Sequence, residues 1–303
     1  MPSAVVFPGD PSRTASAGEN DVVPAGVLPA GDGPSVRPDT VSALERGITV
    51  LRCFSEDTRV LSNTELARRT GIPRPTVTRL AATLVALGML QQGRDGDRFA
   101  LAAGVLVPAR AFLAALDVRA VARPHMQRLA ERFGGSVYLA VRNGLEMVLI
   151  EACRARSTML SARLDVGSRV PMGNSALGRT YLAALPPDER EQLIETLRLT
   201  KGSEWNVLEA GLQAALSAAE VDGYTISAGE WHPDINSVSV PLAGPQGELM
   251  ALNSGGGAYL YTVERLQRDI APSLLAMART IAAEIGGSVP PFNTSKDRRH
   301  AAD

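Results

Sequence analysis

The chain has 303 residues, 45% of them hydrophobic, which is enough for two domains with real cores. Its formal net charge of -1 excludes a uniformly basic nucleic-acid coat, so affinity for a polyanion has to come from a local patch. Cys53 and Cys153 stand in separate segments and the three histidines, His125, His232 and His300, are scattered, which excludes a metal-ligand spacing and points to a reducing compartment.

Residues 1–40 are rich in Pro, Gly, Ala, Ser and Asp without periodicity, and such a stretch cannot bury enough apolar surface to fold; it reads as a disordered tail. The N-terminus lacks the basic start and apolar core of a signal peptide, and no apolar run reaches the length of a membrane span. The expected location is the cytoplasm, with no membrane partner. From Val41 to Phe54, the residues Val41, Leu44, Ile48 and Leu51 share one helical face, widened by Val50 and Phe54, and predict a first helix roofing a small three-helix core.

Ser62 to Leu80 reads as two short helices joined by a tight turn. Ser62 with Glu65 is a capping box, Gly71 stops the first helix, Ile72 drops into the core, and Pro73 and Pro75 start the second. In that second helix Val77, Leu80, Leu84 and Leu87 recur on one stripe, which predicts the buried side. The opposite stripe carries Thr78, Arg79 and Ala82, with Arg74 at the approach. Cationic forks, a hydroxyl and a small residue are what a major-groove reader needs.

Met89-Leu90 and Arg98-Phe99-Ala100-Leu101 flank Gly93-Arg94-Asp95-Gly96-Asp97, and Asp-Gly between apolar runs signals a hairpin, here a wing. Val41 to Arg110 holds ten arginines and no lysine against six acids, a basic segment inside a nearly neutral chain. Candidate DNA contacts are Arg68, Arg74, Thr76, Thr78 and Arg79 on the helix pair, with Arg94 and Arg98 on the wing.

Ala102 to Phe133 predicts two helices. The first has Val105, Ala109, Phe112 and Leu116 on one stripe with Leu106 and Leu113 beside it; it pairs with a second subunit, packs on the chain's own C-terminal domain, or does both. His125 in the next helix reads as structural. After Gly134-Gly135 a mixed α/β domain is expected: strands at 136–141 and 146–151 around Asn143-Gly144, a third at 158–164, and a Gly/Pro-rich loop. Helices at 175–184, 187–199 and 206–222 follow, then strands at 224–228, 237–242 and 248–253. A closing helix carries Val263, Leu266, Ile270, Leu274, Met277, Ile281 and Ile285 at helical spacing, and from Gly287 the chain reads as a loose tail.

The sequence resembles the isocitrate-lyase-regulator (IclR) family of bacterial transcription factors from Val41 to Gly287. The segments that carry the resemblance are Ala43–Ile48, Leu66–Pro73, Thr76-Val77, Arg79-Leu80, Ser175–Arg179, and Val240-Pro241-Leu242 followed by Gly247. The resemblance implies an α+β two-domain protein: a winged helix-turn-helix at 41–101, a linker helix at 102–117, and a GAF/PAS-like effector-binding domain at 118–286, with tails at 1–40 and 287–303. It also implies dimers, or dimers of dimers, on palindromic double-stranded DNA operators and a small-molecule effector, with no cofactor and no metal. By position, the implied effector-binding residues are Met172, Asn174, Ala176, Leu177, Ser227, Ser237, Asn253 and Gly255. This chain departs from the family pattern at Gly173, where a histidine is common, at Ser227, where an acid is common, at Asn253–Gly256, which replaces Ser-x-Ser-Gly, and at Pro75, which replaces a hydroxyl residue.

Free N–H groups at a helix start attract a carboxylate, Asn and Ser orient a ligand, and Met172 and Leu177 supply apolar wall. Asn174 and Ser175 also fit plain helix capping, and Trp231 reads as core or lid. Catalytic motifs are missing: Gly173–Leu177 fails as a nucleophile elbow because Leu177 stands where a glycine is needed, and Gly255-Gly256-Gly257 lacks the Lys-Ser/Thr of a phosphate loop. The expected function is a ligand-responsive transcriptional repressor and not an enzyme. The alternative is a DNA-binding protein whose second domain only oligomerises.

Overall fold

A computed structural model describes residues 41–94, 96–156 and 164–292. The chain divides into two compact units between Ala115 and Leu116. In the first, α1 (Ser42–Leu51) is followed by β1 (Val60–Ser62), α2 (Asn63–Thr70), α3 (Arg74–Ala86), β2 (Leu90–Gln92), β3 (Arg98–Leu101) and α4 (Leu106–Ala114). The Ser62 hydroxyl accepts from the Glu65 N–H at 3.2 Å, and the Glu65 carboxylate accepts from the Ser62 N–H at 2.7 Å. These reciprocal bonds start α2. Gly71, at φ +66°, ends it in a left-handed conformation that a side chain would strain.

Val50, Phe54, Leu61, Leu66, Ile72, Val77, Ala81, Leu84, Leu90 and Phe99 form the core of this unit. Its small sheet has the order β1-β3-β2, antiparallel throughout, with Leu61 opposite Phe99 and Gln92 also opposite Phe99 from the other side. The wing is therefore three-stranded; β1, too short to carry an alternation, was not expected.

Two apolar stripes differ from expectation. On α1 the inward residues are Gly47 and Val50, while Val41 and Leu44 are exposed. This helix is apolar on more than one side, and α3 covers the Val50 side. On α3 the buried stripe is Val77, Ala81 and Leu84; Leu87 is exposed because α3 ends at Ala86 and Leu87 is its cap. None of the nine residues of α4 is buried.

The second unit comprises α5 (Val118–Phe133), β4 (Ser136–Asn143), β5 (Glu146–Arg154), β6 (Arg169–Pro171), α6 (Ala176–Ala184), α7 (Pro187–Lys201) and α8 (Trp205–Asp222). These are followed by β7 (Thr225–Ala228), β8 (Ile235–Ala243), β9 (Leu249–Gly257), a single turn α9 (Val263–Arg265) and α10 (Ala271–Ile285). The six strands form one antiparallel sheet in the order β6-β5-β4-β9-β8-β7. Tyr138, Ala140, Met147 and Leu149 pack with residues of α6, α7 and α8. Val137 and Leu139 alternate with them and turn to the opposite face, where α5 packs on β4 and β5 and α10 on β8 and β9. His125 joins α5 to α10 through Glu284, at 3.1 Å, and is structural as expected.

The third strand expected at 158–164 falls almost wholly outside the described residues. The sheet's third sequential strand is Arg169–Pro171, inside the stretch read as a loop, since three residues ending in proline offer no alternation to detect. The closing helix buries Leu266, Ile270, Leu274, Met277 and Ile281 as its spacing required, but winds as a π-helix over Leu266–Ile270 and leaves Val263 exposed. The chain does not come loose at Gly287: Ser288 bridges to Ala243, and Phe292 is buried in the second core.

Replacing Ser62 by Ala is expected to lower the stability of the first unit by about 1 kcal/mol in denaturant titrations. The backbone hydrogen bond from Ser62 holds the Glu65 carboxyl below its ordinary range. Its contribution is therefore present above the unfolded carboxyl's pKa and lost as pH falls through the folded one. The stability gap between the protein and Glu65→Gln should close as the solution is acidified below the ordinary carboxylate range.

Candidate functional site

Two surfaces carry chemistry, one in each unit. In the first, burial of Val77, Ala81 and Leu84 turns Arg74, Thr78, Arg79 and Ala82 of α3 to solvent. Thr76 is half-buried beside them, and Arg68, Arg94 and Arg98 are exposed on α2 and the wing. The Arg74 guanidinium lies 3.7 Å from Asp97 of the wing, a solvent-exposed pair of little energetic weight. The Thr78 hydroxyl donates to the Arg74 carbonyl at 3.0 Å and accepts from the Asn63 amide at 2.6 Å. Thr78 thus ties α3 to α2, and only one lone pair of its oxygen is left for an outside donor. Asp95, between Arg94 and Gly96, lies outside the described residues.

In the second unit, α6 and the sheet line an open, mostly apolar cavity, the kind of place in which small molecules bind. Of the residues expected to meet a ligand, Ala176, Leu177, Ser227, Ser237, Asn253 and Gly255 line it. Asn253 lies opposite Tyr138 on β4, and Gly255 opposite Ser237 on β8, so strand register brings all four to one face. Two expected residues do not line the cavity. Met172 is fully buried in the core, and the Asn174 amide is turned away to donate to the Glu230 carbonyl at 3.1 Å.

The wall is completed by Tyr138, Leu164, Val170, Ser175, Trp231 and Ile235, none of which was assigned from sequence except Trp231 as core or lid. Strand alternation would have put Tyr138 on one face of β4, but only the sheet order tells which face α6 covers. Among the described residues, no charged side chain lines the cavity. Ser175 is consumed by the fold: its hydroxyl donates to the Pro171 carbonyl at 2.6 Å and accepts from the Gly178 N–H at 3.1 Å. The N–H groups of Ala176 and Leu177, in the first turn of α6, have no intrahelical acceptor. Gly178 allows α6 to sit this close, since a Cβ there would lie 2.1 Å from the Met172 carbonyl oxygen.

Tyr138 and Asn253 are 5% and 4% exposed, and among the described residues neither the phenol nor the amide has a hydrogen-bond partner. Two polar side chains on one wall, free of protein partners, can pair with whatever enters the cavity, water or ligand. The cavity therefore offers an apolar interior, a neutral donor–acceptor pair at the sheet, and backbone donors at α6.

Both units are similar to known proteins. The IclR helix-turn-helix domain model matches residues 43–94, and the model described as "Bacterial transcriptional regulator IclR C-terminal" matches residues 110–285. The HTH-type transcriptional regulator TsaQ1/TsaQ2 of Comamonas testosteroni is 34% identical over 254 residues, covering 83% of this chain and 91% of that protein. The crystal structure of an IclR family transcriptional regulator from Brucella abortus superposes with a TM-score of 0.77 at 38% identity, covering 86% of this chain and 99% of that one. An IclR homolog from Microbacterium hydrocarbonoxydans, solved as a complex with 4-hydroxybenzoate, gives a TM-score of 0.60 at 25% identity, with 80% and 97% covered.

Tyr138→Phe removes a hydroxyl that the protein itself does not use. Its thermal unfolding should match or slightly exceed that of the unaltered protein; a partnered buried hydroxyl would instead cost about 1 kcal/mol.

Proposed function

The chain belongs to the IclR family of helix-turn-helix transcriptional regulators, and from that premise we propose that it represses from a palindromic operator as a dimer or dimer of dimers, under control of a small organic acid or aromatic metabolite. The observation that carries the DNA half is the partition of α3, with Val77, Ala81 and Leu84 inward and Arg74 and Arg79 outward. Arg79 is the base reader, a planar fork suited to the guanine edge, while Arg68, Arg74, Arg94 and Arg98 contact phosphates and Thr76 and Thr78 supply short-range contacts. Repression is the sign that operator occupancy alone produces, by excluding polymerase from the same stretch. The exposed apolar residues Val41, just before α1, Leu44 of α1, and Leu106, Val107 and Phe112 of α4 support self-association. A regulator of this kind works in the cytoplasm; among the described residues no helix is long and apolar enough to cross a membrane.

The cavity's chemistry supports the effector half. A flat or compact apolar body fits between Tyr138, Val170, Leu177 and Trp231, an anionic group meets the N–H groups of α6, and a hydroxyl or carbonyl meets Tyr138 and Asn253. The Microbacterium homolog's ligand, 4-hydroxybenzoate, has this build. The lining residues include no carboxylate, histidine or cysteine, and we assign the cavity no catalysis. Effector binding acts by favouring one arrangement of the paired recognition helices over another.

Two measurements test the proposal. Arg79→Ala should weaken operator binding by about 1–3 kcal/mol and relax specificity at one base pair; an unchanged footprint and affinity would remove that role. A panel of hydroxylated and unsubstituted aromatic and aliphatic acids should contain compounds that raise the unfolding free energy of the second unit, by about 2.7 kcal/mol at a hundredfold excess over Kd. If none does so while the protein still binds its operator, the second unit only oligomerises.

A further inference from the structure

Behind the cavity wall a buried guanidinium ties together three segments of chain. Arg179, in the second turn of α6, is 2% exposed. Its Nε donates to the Gly173 carbonyl at 3.1 Å, and its Nη1 donates to the Ile226 carbonyl at 3.3 Å and to Glu230 Oε1 at 2.6 Å. Nη2 donates to the second oxygen of the same carboxylate, so the pair is bidentate. Glu230 belongs to the loop between β7 and β8, and the next residue is Trp231, part of the cavity wall. Among the wall residues Trp231 is the large aromatic side chain not carried by a helix or strand. The loop's own backbone bonds close on itself at its two ends, from the Gly229 N–H to the Ile235 carbonyl and from the Ile235 N–H to the His232 carbonyl. Beyond its ends the loop is held at Asp234, whose carbonyl accepts from the Ala258 N–H, by Trp231 packing against the second core, and toward α6 by the Arg179 pair and the Asn174 amide on the Glu230 carbonyl.

We propose that Arg179 and Glu230 form a latch that holds the 229–234 loop, and with it Trp231, in place as the outer wall of the cavity. Arg179 is thus a positioning residue: it touches no ligand and sets the geometry of the side chain that does. This rests on the reading of the cavity as the effector site. The two partners are unequal in a way a latch needs. Arg179 is walled in and keeps two backbone acceptors when the pair opens, whereas the Glu230 side chain is 39% exposed and can turn into water. Opening therefore strands no carboxylate and leaves the guanidinium partly satisfied, so it costs far less than removal of a partner from a fully enclosed pair. On the far side of the pair stands Gly211 of α8, where a Cβ would lie 2.7 Å from Glu230 Oε2 and 3.0 Å from Arg179 Nη2. A methyl at 211 would crowd the pair and push the flexible Glu230 carboxylate aside.

Two variants load the latch from different sides. Glu230→Gln removes its charge, and Gly211→Ala inserts a methyl against it; the latter, by helix propensity alone, should stabilise α8. The chain has two tryptophans, and Trp205 is buried, so acrylamide quenching of fluorescence in the full chain, with Trp231→Phe as the subtraction control, reports on Trp231. Both variants should raise the Trp231 quenching constant at least about twofold while amide exchange in β8 and β9 keeps its protection. Unchanged quenching in either variant overturns the latch. So does loss of the cooperative unfolding transition in both, which would make the pair a folding element instead. No ligand enters this experiment, so a cavity that binds none of the acid panel and a loop that is not latched give separate results.

Discussion

Burial of Val77, Ala81 and Leu84 in the core of the first unit is the constraint from which its function follows. A helix with 3.6 residues per turn cannot place those three inward without placing Thr78, Arg79 and Ala82 outward. The capping box at Ser62–Glu65, the left-handed Gly71 and the Thr78–Asn63 bond then fix the angle between α2 and α3. Every one of these contacts is local in sequence, so the reading head is specified by about twenty consecutive residues. The wing depends on longer connections, since β1 must come back to pair with β3, and it is supported by Leu61 and Phe99 meeting in the core.

In the second unit the sheet's pleat plays the part that the helical period plays in the first. Alternation sends Val137 and Leu139 toward α5 and Tyr138 and Ala140 toward α6 and α8. Because β4, β9 and β8 are neighbours, one register aligns Tyr138, Asn253, Gly255 and Ser237 on the same face. The cavity is thus a property of strand order, and the missing side chain at Gly178 lets α6 pack directly on the backbone of Met172 that leads into it.

That difference explains what the sequence could disclose. Caps, the Gly71 stop, the Gly93–Asp97 hairpin and the long helices were legible because each is written within a few residues. The inward face of α1 was not, because Val41, Leu44 and Ile48 make as good an apolar stripe as Val50 and Phe54, and which one is covered depends on where α3 lies. Nor was β6, three residues long, or the attachment of Ser288 and Phe292, which depends on a distant strand edge. Six positions carried over from the family pattern do line the cavity. Met172 and Asn174 are sequence neighbours of those positions that the chain turns elsewhere, one into the core and one onto the Glu230 loop. Tyr138 and Arg179 lacked a local signal altogether: a tyrosine in a strand and an arginine in a helix become informative only when their partners, or the lack of them, are seen.

The open polar pair at Tyr138 and Asn253 bears on how selective such a cavity can be. An apolar pocket separates ligands that differ by a methylene only weakly, by about 1–3 kcal/mol. A pocket that presents hydrogen-bonding groups separates a ligand that pairs them from one that only displaces their water far more sharply. Among the described residues the polar groups of the wall are neutral, so what they offer a ligand is hydrogen bonding. A ligand moves the regulator's equilibrium only by the difference between its affinities for the two arrangements of the protein. Tyr138 on β4 and Asn253 on β9 belong to the rigid sheet, whereas Trp231 rides on a loop fastened through a half-exposed carboxylate. In the proposed latch, Trp231 is the part of the wall whose position can differ, while Tyr138 and Asn253 keep the place their strands give them.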